Sequence, residues 1–380
     1  MQKKRIAVLM DWYLPGNKAG GPVKSVFSLV SLLKNEFDFF ILTVNCDLGS
    51  VEPYKGVEAN KWTKHNDIPV YYFSKDKLNQ ENLTKTINDL NIDIIYLNSF
   101  WSYYFSILPL QLKKKNKING RIILAPRGML SSGALSLKTF KKRSFIFISK
   151  LTGLHKNVLF HATTKQEGSE IRNFYSDANI KIASNVNSTE PLKNKTTSKI
   201  QGELKLFFLS RIARVKNVHF ALQILSELKT EGKVVYDIYG SLEEKEYWSE
   251  CEMIIKTMPD NIKVNYKGAL SFENVQSSIS SYHYLFLPTL NENYGHSIVE
   301  SLLSACPVII SDQTPWNGVN ENNCGKAISL SNKEQFKTEI INAIHLDNAA
   351  YSEISKNCIT FIEKRIDIDQ NIRAYKELFL

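Results

Sequence analysis

The sequence contains few cysteines and no long apolar run, and each shortage excludes a class of protein. Only five cysteines are present among 380 residues, and they lie far apart without a C-x-x-C pair. An odd number of separated thiols argues against a disulfide framework and a structural zinc site, and it indicates a reducing compartment. No apolar segment approaches the roughly 20 residues that a membrane-spanning helix needs.

The start of the chain is equally short of what a secretion signal requires. The basic residues at positions 3–5 precede an apolar run of five residues, Ile6–Met10, which ends at Asp11. A signal-peptide core needs roughly 7–15 apolar residues and a small-residue cleavage site. We therefore interpret the run as a first β-strand and expect a cytoplasmic protein.

Metal-ligand patterns are missing as well. The seven histidines have no metal-ligand spacing, and no D-x-D pair follows a predicted strand. The sequence therefore predicts no metal site. His161 ends an apolar strand, and we interpret it as an interior histidine whose hydrogen bonds are satisfied.

Positive charge is distributed unevenly along the chain. The formal net charge is +10, but residues 1–185 hold 27 Lys and Arg against 14 Asp and Glu, a net of +13. The remaining residues hold 21 and 24, a net of −3. An excess confined to one half points to an anionic partner, namely a phospholipid surface, a phosphorylated acceptor or nucleic acid.

Apolar segments of strand length alternate with segments of helical period through most of the chain. In the first half the strand candidates are near-continuous apolar runs, which is typical of parallel strands covered on both faces, and the pattern restarts in the second half. The candidates of both halves are Ile6–Met10, Phe39–Val44, Val70–Phe73, Ile92–Leu97, Ile122–Ala125, Val158–His161, Leu204–Leu209, Val234–Tyr239, Ile262–Tyr266, Tyr284–Leu287 and Val308–Ile310. A polar, turn-rich stretch at 185–199 separates the two sets. The pattern predicts two Rossmann-like, parallel-sheet α/β domains that face each other across a cleft.

We place the first domain at residues 1–187 and the second at 188–365. Residues 366–380 are expected to form a helix that packs back on the first domain. Ligands of such sheets bind beyond the carboxyl ends of the strands, so functional residues are expected directly after each strand. Three motifs lie at such positions.

The strongest motif follows the strand candidate Tyr284–Leu287 and contains two glutamates, Glu292 and Glu300, separated by seven residues. The loop and helix start between them comprise Asn293, Tyr294, Gly295 and His296. Backbone N–H groups of this loop can face an anion at a helix N-terminus. Glu292 can accept hydrogen bonds from sugar hydroxyls, and Glu300, about one turn into the helix, suits a bidentate contact with ribose hydroxyls. The plain alternative is that Glu292 is only an acid favoured near a helix start by the helix dipole, and that Glu300 is a solvated residue of the helix.

A second motif follows the strand candidate Leu204–Leu209 and carries Arg211 and Lys216. One guanidinium and one ammonium, five residues apart on a strand-to-helix loop, can hold a diphosphate from two sides. Asn217 is then expected to cap the next helix. For an isolated pair of this spacing, ordinary surface bases are the alternative.

Gly20 and Gly21 form the third motif, between the first strand candidate and a helix predicted over Val23–Leu33. Glycines at this position let backbone amides approach a phosphate or a sugar closely. The motif is not G-x-G-x-x-G, and no acidic residue ends the second strand, so dinucleotide binding is not indicated.

Together the three motifs resemble those of the family-4 retaining glycosyltransferases of the GT-B architecture, and the resemblance covers nearly the whole chain. Segment 125–130, which contains Arg127, and segment 160–167 are similar to a bacterial branch of that family. The resemblance implies transfer of a sugar from a UDP- or GDP-linked donor with retention of configuration, without a metal or another cofactor. The first domain would bind the acceptor, a cell-surface glycan or lipid-linked precursor, and the second domain the donor.

The same resemblance implies roles for individual residues. Arg211 and Lys216 would neutralise the departing diphosphate. Glu292 would contact the transferred sugar near the reacting carbon, and Glu300 would bind the ribose. The amides of residues 293–296 would hold the phosphates, and the glycine motif would close over the donor.

One position departs from the family's pattern. Many relatives carry a histidine after the strand that here ends at Leu97, and this position is Asn98. An amide can hydrogen-bond a sugar hydroxyl but cannot carry charge near neutral pH. Asn98 is therefore predicted as a site residue that lacks the charge available to the family histidine.

Segment 137–151 mixes basic and apolar side chains. They are Leu137, Lys138, Phe140, Lys141, Lys142, Arg143, Phe145, Ile146, Phe147, Ile148, Lys150 and Leu151. A helix of this composition can lie in a membrane interface with its basic residues toward anionic head groups. An ordinary amphipathic helix packed on the first sheet is the alternative. We expect the enzyme to visit the cytoplasmic face of the membrane.

Two other functions remain open at this point. Nucleotide-sugar 2-epimerases share the two-domain architecture, but they need acid/base residues in the cleft, and the sequence shows no convincing cluster of these. A non-catalytic binder of nucleic acid or of an anionic surface would use the basic residues themselves. The lysine runs lack interleaved aromatic residues, and no nucleic-acid module is recognisable. We therefore predict a glycosyltransferase without a nucleic-acid partner.

Overall fold

The computed structural model describes residues 2–16, 18–131, 135, 139–187, 190–192, 197–271 and 274–380. Part of the predicted linker therefore lies outside the described residues, as do Leu137 and Lys138 of the basic segment. The chain divides into two compact units. Unit 1 comprises Met1–Ser188 and Ile368–Leu380, and unit 2 comprises Thr189–Asp367.

Unit 1 is built on a predominantly parallel sheet. Its strands are β1 (Arg5–Leu9), β2 (Asp38–Val44), β3 (Trp62–His65), β4 (Ile68–Phe73), β5 (Ile94–Leu97), β6 (Arg121–Leu124), β7 (Leu159–Ala162) and β8 (Asn179–Ile182). The order across the sheet is β3-β4-β2-β1-β5-β6-β7-β8, and the pairing of β3 with β4 is antiparallel. Its helices are α1 (Gly21–Leu33), α2 (Gln80–Asn88), α3 (Leu108–Lys114), α4 (Thr139–Leu151) and α5 (Lys165–Phe174), and a π-helical turn (Tyr103–Ile107) precedes α3.

Unit 2 repeats the design with a fully parallel sheet. Its strands are β9 (Glu203–Leu209), β10 (Lys233–Tyr239), β11 (Ile262–Gly268), β12 (Tyr284–Leu287), β13 (Val308–Ser311) and β14 (Gly325–Ile328), in the order β11-β10-β9-β12-β13-β14. Its helices are α6 (Val218–Ser226), α7 (Lys245–Ile255), α8 (Val275–Ile279), α9 (His296–Leu303), α10 (Lys333–His345) and α11 (Asn348–Arg365), with 3₁₀ turns at Arg214–Lys216 and Asn317–Val319. The predicted fold class, two parallel-sheet α/β domains, is confirmed.

The predicted strands are all present, with ends that shift by at most two residues. Three further strands, β3, β8 and β14, are absent from the prediction, and each forms an edge of its sheet. The residues of β3 and β8 are exposed or partly buried and those of β14 are half buried, whereas every residue of β5 and β12 is buried. Continuous apolar runs identify strands that are covered on both faces, and an edge strand does not need such a run.

The last helix, α12 (Ile368–Phe379), follows unit 2 in sequence but belongs to unit 1. Tyr375 and Phe379 are buried. The Tyr375 ring lies 5.3 Å from that of His161, and the Phe379 ring lies 5.5 Å from that of Tyr96, measured between centroids. The apolar face of α12 therefore completes the core of unit 1.

Basic side chains cap the carboxyl end of α12. Lys4 Nζ donates to the Leu380 carbonyl at 2.9 Å, and Arg121 Nη2 donates to the Leu378 carbonyl at 2.8 Å. Lys181 adds a third such hydrogen bond. Cations at a helix C-terminus pair with its orphan carbonyls and interact favourably with the helix dipole. Part of the basic excess in the first half of the sequence is therefore used inside unit 1.

Candidate active site

The E-x7-E and R-x4-K motifs meet at the carboxyl edge of the sheet in unit 2. β9 and β12 are parallel neighbours, so the loops that follow them emerge side by side. Lys216 Nζ lies 2.6 Å from Glu292 Oε2, and only 12% and 16% of the two side chains are exposed. Two residues that are 76 positions apart in sequence thus form a largely buried ion pair. Removing one partner of such a pair costs on the order of 3 kcal/mol, because the other charge is left unpaired.

Hydrogen bonds between the two loops fix the position of this pair. The Leu290 N–H donates to the Val215 carbonyl at 2.9 Å, and Thr289 Oγ1 donates to the same carbonyl at 3.0 Å. Asn217, in a left-handed conformation, precedes α6, but its side chain does not cap that helix as predicted. Its Nδ2 instead donates to the Pro288 carbonyl at 3.0 Å. The amide therefore ties the β9 loop to the β12 loop.

Gly295 makes the turn between the β12 loop and α9. Its φ is +79°, and a Cβ at this position would lie 3.2 Å from Glu292 Cγ and 3.2 Å from Trp316 Nε1. Both the left-handed backbone and the close packing require glycine. The turn is further fixed by Trp316 Nε1, which donates to the Tyr294 carbonyl at 2.5 Å. The first-turn amides of α9 are consequently held beside Glu292.

Glu300 lies inside α9, one turn from its start, and 7% of the residue is exposed. A glutamate on an ordinary solvated helix face would be exposed, so the geometry contradicts the plain alternative for this residue. A carboxylate is buried only where polar or charged groups compensate it. Its position in the first turns of α9 places it on the same edge as the Lys216–Glu292 pair.

Arg211 follows β9 but does not contact the Lys216–Glu292 pair. Its Nη1 lies 2.6 Å from Glu243 Oε2, and 36% and 38% of these two side chains are exposed. An exposed pair of this kind contributes about 0–1 kcal/mol, so the guanidinium can exchange partners at little cost. The two predicted diphosphate ligands, Arg211 and Lys216, thus each contact a carboxylate here.

The glycine motif lies in unit 1, after β1. Gly20 has a φ of +67°, and α1 begins at Gly21 with proline in its first turn. Lys24, one turn into α1, is buried, and burial lowers its pKa to about 7. The sequence did not predict that Lys24 is buried, because a lysine in a helix is usually exposed to solvent.

Asn98 lies at the carboxyl end of β5 in unit 1, and its side chain is held by Arg127. Asn98 Oδ1 accepts hydrogen bonds from Arg127 Nε at 3.2 Å and Nη2 at 2.7 Å. Arg127 Nη1 also donates to Asn185 Oδ1 at 2.8 Å, and Nη2 donates to the Tyr96 hydroxyl at 3.0 Å. The sequence indicated Arg127 only as part of segment 125–130, because the residues that it contacts lie far from it in sequence.

Below this cluster, His161 links two parts of the sheet. Its Nδ1 shares a hydrogen bond of 2.7 Å with the Tyr96 hydroxyl, and its Nε2 lies 2.8 Å from the Ala183 carbonyl. Burial, reinforced by the charge of Arg127, lowers the pKa of His161 to about 3. The ring is therefore neutral at physiological pH, in agreement with an interior histidine.

Comparisons with known proteins bear on both units. Residues 189–364 match the family described as Glycosyl transferases group 1, and this match spans nearly all of unit 2. No curated protein sequence matches the chain. Among the described residues there is no helix long and apolar enough to cross a membrane.

Solved structures resemble the chain over its whole length. Sucrose-phosphate synthase from Thermosynechococcus elongatus has a TM-score of 0.70 at 13% identity, covering 99% of this chain and 98% of that chain. HepE from Anabaena, in complex with UDP and glucose, has a TM-score of 0.71 at 13% identity, covering 99% of both chains. A glycosyltransferase from Rickettsia africae has a TM-score of 0.65 at 12% identity, covering 100% and 98%. At these identities the likeness establishes the fold, which is the GT-B architecture.

Proposed function

We propose that this chain is a retaining glycosyltransferase that moves a sugar from a nucleoside-diphosphate sugar to a cell-surface glycan or a lipid-linked precursor. The family match of unit 2 and the GT-B fold support transferase activity. The observation that carries the proposal is the Lys216–Glu292 pair beside the start of α9. It brings together a cation, a carboxylate and helix-terminal amides, the groups that a sugar diphosphate needs.

The pair is suited to exchange its internal contact for contacts with the donor. A diphosphate beside Lys216 would replace Glu292 as the partner of the ammonium, because a diphosphate carries more negative charge than one carboxylate. Glu292 would then be released to accept hydrogen bonds from hydroxyls of the sugar. Stabilising the charge that develops on a leaving group is commonly the largest electrostatic contribution to catalysis.

Arg211 and Glu300 complete the proposed donor site. Arg211 would leave its exposed partner Glu243 and contact the diphosphate from the other side. Glu300, buried in α9, would bind the ribose hydroxyls. Amides of residues 293–296 would contact the phosphates at the helix N-terminus, and Gly20 and Gly21 would close over the donor from unit 1.

The donor is proposed to be a UDP- or GDP-linked sugar, used as a substrate without a metal or another cofactor. HepE, which is similar in fold, was solved with UDP and glucose, which supports the UDP-linked class. Two side-chain cations in unit 2 would supply the positive charge that a metal supplies elsewhere. Activity is expected to survive treatment with EDTA.

The membrane side of the proposal is supported by α4. Its outward face exposes Phe140, Phe147, Ile148 and Leu151, with Lys141, Arg143 and Lys150 exposed beside them. Ile146 and Ser149 are buried, so α4 packs on unit 1 with one face and presents apolar side chains on the other. A basic, amphipathic surface of this kind suits an anionic membrane interface. We propose a cytoplasmic enzyme that visits the inner face of the membrane.

A panel of UDP- and GDP-linked sugars tests the proposed reaction. Thermal shift identifies the donor, because a bound ligand raises the melting temperature by mass action. Slow donor hydrolysis, followed by NMR before the released sugar mutarotates, reports the anomeric configuration. We expect release with retained configuration. Interconversion of nucleotide sugars would favour the 2-epimerase alternative, and failure of every donor to bind would refute the proposal.

A further inference from the structure

Arg127 differs from the other strand-end cations because, among the described residues, no carboxylate contacts its guanidinium directly. Within the described part of the chain, its guanidinium contacts the amide oxygens of Asn98 and Asn185 and the hydroxyl of Tyr96. All three acceptors are neutral. We propose that Arg127 is the residue with which unit 1 binds an oxyanion of the acceptor, either a phosphoryl or a carboxylate group. The identification of that ligand as the acceptor depends on the proposed function.

The neighbouring carboxylate is committed elsewhere. Glu167 is buried, and its Oε1 accepts from the Gly128 N–H at 2.6 Å. Its Oε2 accepts from the N–H and the hydroxyl of Thr163, at 2.7 and 2.6 Å. These three donors satisfy the carboxylate without the guanidinium. Glu167 therefore positions the loop that carries Arg127, and its charge acts on the guanidinium without a direct contact.

The hydrogen bonds of Arg127 orient the guanidinium and leave donor capacity. A guanidinium has five N–H groups. One on Nε and two on Nη2 are used by Asn98 and Tyr96, and one on Nη1 is used by Asn185. The second N–H of Nη1 is not used by these three partners, and the Tyr375 hydroxyl is a further polar group close to the guanidinium. Because an arginine side chain remains protonated in proteins, the site keeps its full positive charge at every physiological pH.

The backbone holds Arg127 in this place. Arg127 has a φ of +57°, which non-glycine residues rarely adopt, and Gly128 follows with a φ of +74°. Left-handed residues of this kind cluster at ligand sites, where the surrounding structure imposes them. Here the imposing contact is the hydrogen bond from Gly128 to buried Glu167.

The site lies at the edge of the sheet where ligands of such sheets bind. Asn98 follows β5 and Arg127 follows β6, and these neighbouring parallel strands end in register at Leu97 and Leu124. The cluster therefore lies at the carboxyl edge of the sheet, and Arg127 is partly exposed there. A positive group in a partly desolvated setting of oriented amides is well suited to a planar or tetrahedral oxyanion.

A purely structural role for Arg127, as a cross-link between strands, makes a different prediction. The substitution Asn98→Asp preserves the shape of the side chain and both hydrogen bonds from Arg127. It places a carboxylate against the guanidinium, so the cluster becomes neutral. A cross-link would be kept or strengthened by this change, whereas oxyanion binding would be lost.

The test uses three probes built on one sugar: glucose 6-phosphate, glucuronate and glucose. Direct calorimetric titration of the full chain gives an affinity for each, in the wild type and in Arg127→Met, Asn98→Asp and the control Arg172→Met. Arg172 is an exposed arginine of α5 in the same unit. We expect the wild type and the control to bind one anionic probe at least about tenfold more tightly than glucose. Arg127→Met and Asn98→Asp should abolish that preference, and the anionic probe that wins identifies the phosphoryl or the carboxylate class.

Retained anion preference in folded Asn98→Asp, or equal affinity of the wild type for all three probes, would overturn the proposal. Melting temperatures establish that each variant is folded, and Asn98→Asp carries the test if Arg127→Met does not fold. UDP affinity is measured on the same samples. A wild type that binds UDP normally but shows no anion preference refutes only this site, whereas an absent response to UDP in the wild type counts against the proposed function.

Discussion

The cations at the carboxyl edges of the two sheets differ in whether they contact a carboxylate. In unit 2, Lys216 and Arg211 each contact a carboxylate, at 2.6 Å in both cases. In unit 1, Arg127 contacts neutral oxygens. A paired cation must exchange its partner when a ligand binds, so its charge is masked until then. An unpaired cation is available from the start, and it attracts an anion at longer range.

The difference suggests a division of tasks between the units. The buried Lys216–Glu292 pair can release two groups at once, and both would act on one donor molecule. The Arg127 cluster offers a single fixed charge and suits recognition more than chemistry. The following four predictions test this comparison, from the largest expected effect to the smallest.

Removing the cation of the Lys216–Glu292 pair should have the largest effect on the rate of transfer. Lys216→Ala removes the group that would stabilise the departing diphosphate, so we expect the maximal rate of transfer to fall by at least about 100-fold. Lys233→Ala is the control, because Lys233 is an exposed lysine at the opposite end of the same sheet. Steady-state turnover measures both. Normal turnover in the Lys216 variant would remove this residue from the mechanism.

The two glutamates of the E-x7-E motif should separate binding from transfer. Glu300→Gln is expected to weaken binding of free UDP by about tenfold, since it removes a charged partner of the ribose. Glu292→Gln should leave UDP affinity nearly unchanged and lower the rate of transfer, because its contact is with the sugar. Calorimetry with UDP and turnover assays measure the two effects. An equal loss of UDP affinity in both variants would contradict the division of roles.

In unit 1, the buried carboxylate that positions Arg127 should matter for stability. Glu167→Gln replaces one acceptor oxygen by an NH₂ group that faces backbone N–H donors, which should cost about 1–3 kcal/mol of unfolding free energy. Chemical denaturation measures this cost. Glu170→Gln, the same change one turn further along α5 at a less buried position, is the matched control. Equal stability of the two variants would show that Glu167 does not hold the Arg127 loop.

The last prediction concerns membrane binding, in which each single residue contributes the least. Anionic vesicles should retain the protein at low salt, and changing Lys141, Lys142 and Arg143 to Gln should release it, at about 1 kcal/mol per charge. A control with Lys113, Lys115 and Lys117 changed to Gln carries the same loss of charge outside α4. Co-sedimentation measures retention. If the wild type ignores anionic vesicles even at low ionic strength, the basic surface of unit 1 serves a soluble anionic acceptor instead.

Much of the fold could be predicted from the sequence because central strands and helices produce local patterns of apolar residues. Central parallel strands are covered on both faces, so β5 and β12 appear as uninterrupted apolar runs. Edge strands such as β8 have no such requirement, and no local signal marked them. The same applies to the pairing of β3 with β4, which is the one antiparallel contact between the described strands.

For the candidate site, the sequence determined which chemical groups follow which strand. Lys216, Glu292 and Glu300 were identified because they lie directly after apolar runs, beside residues suited to turns. Their contact was not predictable in detail, since it depends on β9 and β12 being neighbours in the sheet. That neighbour relation is a property of the topology.

Only the tertiary structure decided how unit 1 uses its charges. The Arg127 cluster joins residues that follow β5, β6 and β8, and Asn185 lies 58 positions from Arg127. The same holds for α12, whose carboxyl end is capped by Lys4 from the other end of the chain. A short-range pattern records the local burial of a segment, because burial determines side-chain polarity along it. Which polar groups then meet depends on strand order and loop closure, and these are set by the packing of the whole unit.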